Sequence, residues 1–276
     1  MPVPDPVANE FVRIDDAHGV RTVRIDRPDV HNAFNETVID ELTAAFAAAG
    51  ADDAVRVVVL ASDGPSFSAG ADMHWMKRMV DFSREENERD AGAMAGMFRA
   101  IRACAKPTIA RVHGPCFGGG VGLVAACDLA VAVRAAIFAL TEVKLGILPA
   151  VISPYVVERI GPGPMRRYAI TAERFDADRA AELGLVSEVV EDEVGLDERI
   201  AYFVKLLKKN GPEAIAAGKR TLAAMNERPD WDGKTRCTVE AIAERRVSAE
   251  GQEGLRAFLE KRDPAWIVST GSGSKA

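Results

Sequence analysis

The stretch GGGVGLVAACD, residues 118–128, decides how this chain is interpreted. Three glycines open it, an apolar run follows, and Asp128 closes it. A glycine-rich helix start has two common chemical uses, which are to bind a phosphate or to stabilise negative charge that develops on an oxygen. Small residues also let a helix pack closely on a sheet, and the stretch alone leaves this structural interpretation open.

The spacing of the glycines argues against the familiar phosphate-binding motifs. A dinucleotide site needs GxGxxG directly after the first strand, whereas here Val121 to Cys127 continue as a helix. No GK[ST] follows, so the stretch is not a P-loop. Gly122 lies one turn inside the helix, where glycine costs about 1 kcal/mol relative to alanine.

A second glycine-bearing loop, FSAGAD at 67–72, follows the apolar run RVVVLAS at 56–62. That run is typical of a strand buried on both faces. The glycine stretch itself follows another predicted strand, PTIARVHG at 107–114. Two such loops can each direct one backbone N–H at a single point, and each donor stabilises an oxyanion by about 3 kcal/mol. The dipole of the glycine helix adds to this effect.

Strand and helix patterns alternate along the rest of the chain and predict an α/β fold. Strands are expected at 20–26 and 128–133, a helix over 36–52, and one long helix from about Trp75 to Ala103. After about residue 190 the strand signals stop and amphipathic helices follow.

These patterns divide the chain into four parts. The Pro-rich head is expected to be disordered and the Gly/Ser tail flexible, with an α/β core and a helical lobe between them. The predicted ranges are 1–9 for the head, 10–195 for the core, 196–265 for the lobe and 266–276 for the tail.

Composition excludes several classes of protein. The 276 residues carry a formal net charge of −6, which is unfavourable for nucleic acid or an anionic membrane surface as partner. No apolar run approaches the ~20 residues that span a bilayer, and the first residues do not resemble a secretory signal. The four cysteines have no CxxC pairing and no nearby histidine at metal spacing, so we expect reduced thiols, a cytoplasmic location and no metal site.

Five segments, in this order, resemble the crotonase family of enoyl-CoA hydratases and isomerases. They are FSAGADMHWM, VHGPCFGGGVGLVAACDLAVA, FALTEVKLGILP, RFDADRAAELGLVSEVV and EGQEGLRAFLEKR. The resemblance covers about residues 10–265. It implies a ββα spiral with a C-terminal helical lobe, assembled as trimers or dimers of trimers, that acts on an acyl-CoA thioester. No separate cofactor is implied, since coenzyme A is part of the substrate.

The resemblance also assigns roles to single residues. The oxyanion donors fall on the backbone N–H groups of Ala71 and Gly119, and the catalytic acid or base falls on Glu142. Apolar neighbours of Glu142 would raise the pKa of its carboxyl toward the working range of a general acid or base. Many relatives carry a second glutamate where this chain has Gly122, a difference that would leave room for a bulkier or branched acyl group.

Substrate and coenzyme A contacts are implied for the two loops and for RPDVHNAF at 27–34. The implied set is Arg27, Val30, His31, Ser68, Ala69, Gly70, Ala71, Asp72, Gly118, Gly119 and Gly122. Asp29 and His31 depart from the residues of many relatives, which weakens a phosphate contact there.

Several of these polar residues also have simpler interpretations. Asp72 could cap the following helix, and Arg27 could be a plain surface charge. Asp128 is interpreted as a structural acid. His113 is interpreted as structural or as lining the site, and His74 as solvated or near the coenzyme A.

A site with one of the two acids fits either an enoyl-CoA hydratase or an isomerase. Gly122 together with AVISPYV at 150–156 resembles hydratases of 3-methylglutaconyl-CoA and related branched glutaconyl thioesters, which act in leucine catabolism and related fatty acid metabolism. Lys144, Arg166 and Arg167 are candidates for the cation that such a carboxylated acyl chain needs. The alternatives are an isomerase that uses Glu142 alone and a non-catalytic acyl-CoA or RNA-binding protein.

Overall fold

The computed structural model describes residues 9–267. Most of the predicted head, and the predicted tail beyond Ile267, lie outside the described residues. No helix in the described range is long and apolar enough to cross a membrane.

Within residues 9–267, nine strands form two sheets. The main sheet has six strands in the order β1-β2-β3-β4-β6-β9 and is parallel except for the β1–β2 hairpin, while β5, β7 and β8 form a small second sheet. The strands are β1 (Val12–Ala17), β2 (Val20–Ile25), β3 (Val57–Ser62), β4 (Thr108–Val112), β5 (Cys116–Phe117), β6 (Leu129–Val133), β7 (Ile137–Ala139), β8 (Phe175–Asp176) and β9 (Glu188–Val190). The predicted α/β class is confirmed.

Eleven α-helices are present among the described residues. They are α1 (Glu36–Ala51), α2 (Met73–Met79), α3 (Arg84–Ala103), α4 (Gly119–Ala126), α5 (Ser153–Ile160), α6 (Pro162–Thr171), α7 (Ala177–Glu182), α8 (Glu193–Lys209), α9 (Pro212–Asn226), α10 (Trp231–Val247) and α11 (Ala249–Glu260). Two short 3₁₀ turns, Pro28–Val30 and Glu142–Leu145, lie beside the site described below.

The core forms where the apolar patterns predict it. Every residue of β3 is buried, as expected for a central parallel strand. Helix α1 buries Val38, Leu42 and Phe46 along one face, and the Asn35 side chain caps its start by accepting the Val38 N–H at 3.1 Å.

The single long helix predicted from Trp75 to Ala103 is wrong. The chain forms α2 and α3 separately, because Ser83 starts a new helix with its own capping box. The Ser83 hydroxyl accepts the Glu86 N–H, and the Glu86 carboxylate accepts the Ser83 N–H. Both helices retain buried apolar residues, among them Trp75 and Phe98.

The boundary at 195/196 falls inside a helix. Helix α8 begins at Glu193 and packs on strands β3, β4 and β6, with Leu196 buried. The guanidinium of Arg111 in β4 also forms an ion pair with the Asp197 carboxylate of α8, at 2.7 Å. Helix α8 thus covers the sheet, and the separate helical lobe consists of α9 to α11.

Trp266, which the sequence places at the start of the tail, is held against the core. Its indole N–H donates to the Lys209 carbonyl at 3.0 Å, and its own carbonyl accepts from Arg56 at 3.2 Å. The ordered chain therefore extends at least to this residue.

Candidate active site

The two glycine loops meet at the start of α4. Gly70 has φ +88°, a conformation that favours glycine, and a Cβ atom there would lie 2.9 Å from the Phe117 carbonyl oxygen and 3.4 Å from the Gly119 nitrogen. An isolated bridge between Ser68 and Cys116 joins the same loops. The predicted convergence of the loops therefore occurs.

The N–H groups of Ala71 and Gly119 have no protein acceptor among residues 9–267. Around Ala71, Phe34 N–H donates to the Gly70 carbonyl at 2.8 Å and Asp72 N–H donates to the Phe34 carbonyl at 3.1 Å, so the neighbouring groups are used and the Ala71 N–H is not. Gly119 is the first residue of α4, whose N–H has no partner inside the helix. Both residues are partly exposed, so both donors can reach a ligand.

Phe34 lies directly against Gly119. A Cβ atom at position 119 would lie 2.2 Å from Phe34 Cζ, a distance that no real contact shows, and Phe34 is fully buried. The glycine is therefore required by the protein's own packing as well as by any approach of a ligand. No motif in the sequence marks Phe34 for this position.

Glu142 stands over the same helix start. It opens the turn Glu142–Leu145, and its Oε1 lies 3.4 Å from where a Cβ of Gly118 would be. Its Oε2 is buried without a hydrogen-bond partner in the described structure. Burial raises the pKa of the Glu142 carboxyl above its ordinary value, against weaker lowering by the backbone N–H groups of Glu142 and Thr141.

Gly122 does not line an open space. A Cβ atom there would lie 2.4 Å from Ile152 Cγ2 and 2.9 Å from both Ile152 Cβ and Phe98 Cε1. Ile152 is 2% exposed and Phe98 0%. The expectation that Gly122 leaves room for a bulky acyl group is wrong, because two apolar side chains already occupy that space. Its contact with substrate stays a prediction.

Both terminal guanidinium nitrogens of Arg27 are bound by the protein's own groups. It binds the Asp72 carboxylate at 2.9 Å and the Ala33 carbonyl at 2.5 Å, and it stacks on the Phe11 ring. The Arg27 side chain is 13% exposed and that of Asp72 4%. The pair joins the end of β2 to the start of α2, which favours the structural interpretations of both residues. Their contacts with substrate or coenzyme A stay predictions.

Asp72 is the cap of α2, as its alternative interpretation predicts. Its Oδ1 accepts the N–H groups of His74 at 2.7 Å and Trp75 at 3.2 Å. Burial would raise the pKa of Asp72, but these backbone bonds and the Arg27 guanidinium outweigh it and hold the pKa below its usual range.

The segment 27–34 and the loop 67–72 are joined side by side. Ala69 N–H donates to the His31 carbonyl at 2.9 Å, and the buried Ser68 hydroxyl donates to the Asn32 carbonyl at 2.9 Å. Ser68 is therefore a loop-positioning residue. Val30 is half-buried, and His31 and Ala69 are exposed on this edge, where a ligand can contact them.

The remaining polar residues are structural or distant. Asp128 binds Lys219 at 2.5 Å and also accepts from the Thr108 backbone, in agreement with the structural interpretation. His113 Nε2 lies 2.8 Å from the Gly64 carbonyl, and His74 is exposed. Within residues 9–267, no cluster of three metal-ligating side chains occurs.

The geometry defines a class of protein. Two loops, each with a backbone N–H that has no acceptor in the described structure, meet beside one carboxyl with a buried, unpartnered oxygen. Such an arrangement suits an enzyme that stabilises an oxyanion and transfers a proton next to it. Residues 15–268 match the family model described as enoyl-CoA hydratase/isomerase.

Similar proteins agree with this class. The chain is 34% identical to the crotonyl-CoA hydratase of Syntrophomonas wolfei, over 95% of this chain and 99% of that protein. It is 30% identical to the hydroxycinnamoyl-CoA hydratase-lyase of Pseudomonas fluorescens, over 91% and 92%. The crystal structure of an enoyl-CoA hydratase from Shewanella pealeana superposes with a TM-score of 0.90 at 39% identity, covering 94% of this chain and 97% of that one.

This chain belongs to the enoyl-CoA hydratase/isomerase, or crotonase, family. The predictions of the family, of its fold and of an enzyme of the enoyl-CoA hydratase type are confirmed.

Proposed function

We propose that this protein adds water across the 2,3 double bond of an enoyl-CoA thioester, with Glu142 as the one acid–base group. The observation that carries the proposal is the Glu142 carboxyl with its buried, unpartnered Oε2, beside the start of α4 where the two glycine loops meet. Such a carboxyl is costly to keep, on the order of 1–3 kcal/mol for an unpaired buried polar group, which argues for chemical use.

The groups support a simple sequence of steps. The thioester oxygen accepts hydrogen bonds from the N–H groups of Ala71 and Gly119, which draws electrons from C3. The Glu142 carboxylate takes a proton from water as the water oxygen bonds to C3. The enolate is held by the two donors until Glu142 returns the proton to C2, so the product is the 3-hydroxyacyl thioester. Coenzyme A enters with the substrate, and the steps need no further cofactor.

Glu142→Gln tests this proposal. We expect kcat for hydration to fall by about 10³, within the range that a positioned acid–base group supplies, while thioester binding is retained. The loss of enoyl-thioester absorbance measures the rate. The exposed Glu182→Gln is the matched control and should keep full activity. Near-normal turnover of the Glu142 variant would contradict the proposal, and turnover of a 3-enoyl-CoA faster than hydration would favour isomerisation instead.

For the acyl chain we propose a 3-methylglutaconyl or related branched glutaconyl group, which would place the enzyme in leucine catabolism. Its carboxylate needs a cation. Lys144 lies in the same short turn as Glu142, and neither Lys144 nor Arg166 pairs with a carboxylate in the described part of the chain. Arg167 is occupied by Glu173, so it is the weakest of the three candidates.

A substrate comparison tests the acyl chain separately. We expect 3-methylglutaconyl-CoA to have a higher kcat/KM than crotonyl-CoA, and Lys144→Met to reduce that preference while sparing crotonyl-CoA. Arg167→Met is the matched control. A wide preference for crotonyl-CoA in the unaltered enzyme would contradict the glutaconyl substrate and leave hydration intact.

We further propose a cytoplasmic homotrimer or dimer of trimers. Apolar side chains are exposed on the C-terminal helices, with Phe258 at 81%, and such patches mark surfaces that bind proteins. The exposed residues are Val239, Ile242, Val247, Leu255, Phe258 and Leu259. Light scattering on the purified protein would test the assembly, and a monomer would contradict it.

A further inference from the structure

The turn that follows β7 carries two side-chain oxygens to the start of α4. Strands β5 and β7 pair in parallel with Phe117 opposite Ala139, and the Gly118 N–H donates to the Ala139 carbonyl at 2.9 Å. The chain beyond β7 therefore passes beside Gly118. A Cβ atom on Gly118 would lie 3.4 Å from Glu142 Oε1 and 3.8 Å from Thr141 Oγ1, and the three atoms nearest to that point all belong to these two residues.

The backbone of this turn is hydrogen-bonded, but the Thr141 hydroxyl is not. The Thr141 carbonyl accepts the Lys144 N–H at 3.0 Å, and the Glu142 carbonyl accepts the Ile147 N–H at 3.3 Å. The Thr141 hydroxyl does not cap the turn, and no hydrogen bond within residues 9–267 includes it. Thr141 is half-buried, so its hydroxyl can be reached from the site.

The space over Gly118 is open on the side of these two oxygens. Gly118 has φ +52°, a conformation that favours glycine, and it adds no side chain there. A methyl group would meet the oxygens only at ordinary contact distances, so a space of about that size is left between α4 and the turn. A water molecule is of similar size, and both oxygens are hydrogen-bond acceptors.

We propose that Thr141 is a further catalytic residue, whose hydroxyl binds the water molecule that adds to the double bond. The inference rests on the proposed function, in which Glu142 is the base. A base alone fixes the direction of one O–H bond of the water. A second partner on the other O–H also fixes the direction of the oxygen lone pair, and such orientation lowers the barrier of the step.

The step is balanced with Thr141 as a hydrogen-bond partner only. One O–H of the water donates to the Glu142 carboxylate and the other to Thr141 Oγ1, so a lone pair of the water oxygen is free for C3. As the bond from oxygen to C3 forms, the first proton passes to Glu142 and the electron pair of the double bond moves toward the thioester oxygen. The second hydrogen stays on the oxygen as the 3-hydroxyl of the product, and Thr141 keeps its own proton.

Replacement of the hydroxyl tests this role. Thr141→Val removes it and keeps the shape of the side chain. We expect kcat for hydration to fall about tenfold, the effect of one hydrogen bond in the transition state, with little change in KM. Thr141→Ser keeps a hydroxyl and should retain most of the activity. The matched control is Thr22→Val, at a half-buried threonine of β2, which should keep full activity.

A normal kcat in Thr141→Val, or a serine variant as slow as the valine variant, would overturn the proposal. Thr141→Ala removes the same hydroxyl and serves if the valine variant does not fold.

A reaction that adds no water separates a catalytic role from a structural one. Exchange of the C2 hydrogens of butyryl-CoA with D2O, followed by NMR, needs Glu142 and the backbone donors but no attack on C3. We expect Thr141→Val to exchange at the rate of the unaltered protein and Glu142→Gln to lose exchange. If exchange and hydration fall by the same factor in Thr141→Val, Thr141 acts only through the position of Glu142 and the proposal is overturned. Should the unaltered protein exchange too slowly to measure, the hydration rates still decide.

The two proposals fail in different ways. If Glu142→Gln keeps normal hydration, the proposed function is wrong. If Glu142→Gln loses hydration and Thr141→Val keeps it, only the role of Thr141 is wrong.

Discussion

The first turn of α4 uses glycine in two opposite ways. At Gly119 the glycine lies at an accessible edge, where a backbone N–H remains without a partner. At Gly122 it lies under Ile152 and Phe98, which fill the space completely. Gly119 makes room for Phe34 and keeps an accessible N–H, whereas Gly122 makes room only for buried side chains, so a glycine motif alone does not state which neighbour it serves.

The largest effect on activity is expected at Gly119, the more accessible of the two glycines. Gly119→Ala should lower kcat/KM by about 10³, because its Cβ would collide with Phe34 and shift the Gly119 N–H, and the loss of one positioned oxyanion donor costs 10²–10³. Steady-state kinetics together with Tm measures both consequences. If activity survives while Tm falls, the reaction does not depend on the exact position of the Gly119 N–H, and the contrast between the two glycines disappears.

A smaller effect is expected at the pair that holds the second loop. Arg27→Met leaves the Asp72 carboxylate buried without its partner, which should cost about 3 kcal/mol of unfolding free energy. Activity toward a coenzyme A thioester and toward its pantetheine analogue should fall by the same factor. A loss confined to the coenzyme A thioester would show that Arg27 binds a phosphate after all.

The pH dependence of this pair has a definite sign. The folded-state pKa of Asp72 is lowered, so its contribution to stability is present above the unfolded pKa and is lost as pH falls through the folded value. The free energies of unfolding of the unaltered protein and of Asp72→Asn, measured with urea, should therefore differ at pH 7 and become equal in strong acid. A difference in unfolding free energy that stays constant from pH 7 to strong acid would contradict the ionic role of the Arg27–Asp72 pair.

The smallest effect on stability is expected for substitution of Glu142. Because burial raises its folded-state pKa, the ionised form is disfavoured, and stability is lost as pH rises through that pKa. Glu142→Gln should therefore be slightly more stable than the unaltered protein at pH 8 and equal to it at pH 4, as measured by Tm. In the unaltered enzyme, kcat/KM should fall as acid protonates Glu142. A variant that is less stable at pH 8 would contradict the buried, unpartnered state of the carboxyl.

The sequence predicts the fold well where a local pattern has one physical cause. The apolar run that forms β3 and the helical spacing of α1 are both found as expected. The break between α2 and α3 is missed, although the Ser83–Glu86 capping box is visible in the sequence. The proximity of the two glycine loops to each other and to Glu142 is also found, because these segments follow motifs, and the catalytic roles of their residues stay predictions.

What the sequence could not supply is contact across the fold. Ile152 and Gly122 are distant in the chain, and nothing in either segment states that one covers the other. Likewise, Arg27 and Asp72 look like two independent polar residues until β2 and α2 are placed together. The AVISPYV segment at 150–156 resembles a family motif in sequence, but the packing of its Ile152 on Gly122 is visible only in the tertiary structure.

The bonds between segment 27–34 and the second loop have a consequence for how the enzyme would use its substrate. Phe34 and His31 hold the backbone on both sides of Ala71, through Gly70, Asp72 and Ala69. A ligand that orders the segment would thereby also order the oxyanion donor. The coenzyme A part of the thioester, which is distant from the reacting carbons, could then contribute to the rate of the chemical step as well as to affinity. Substrates with a shortened coenzyme A part would be turned over slowly even at saturation.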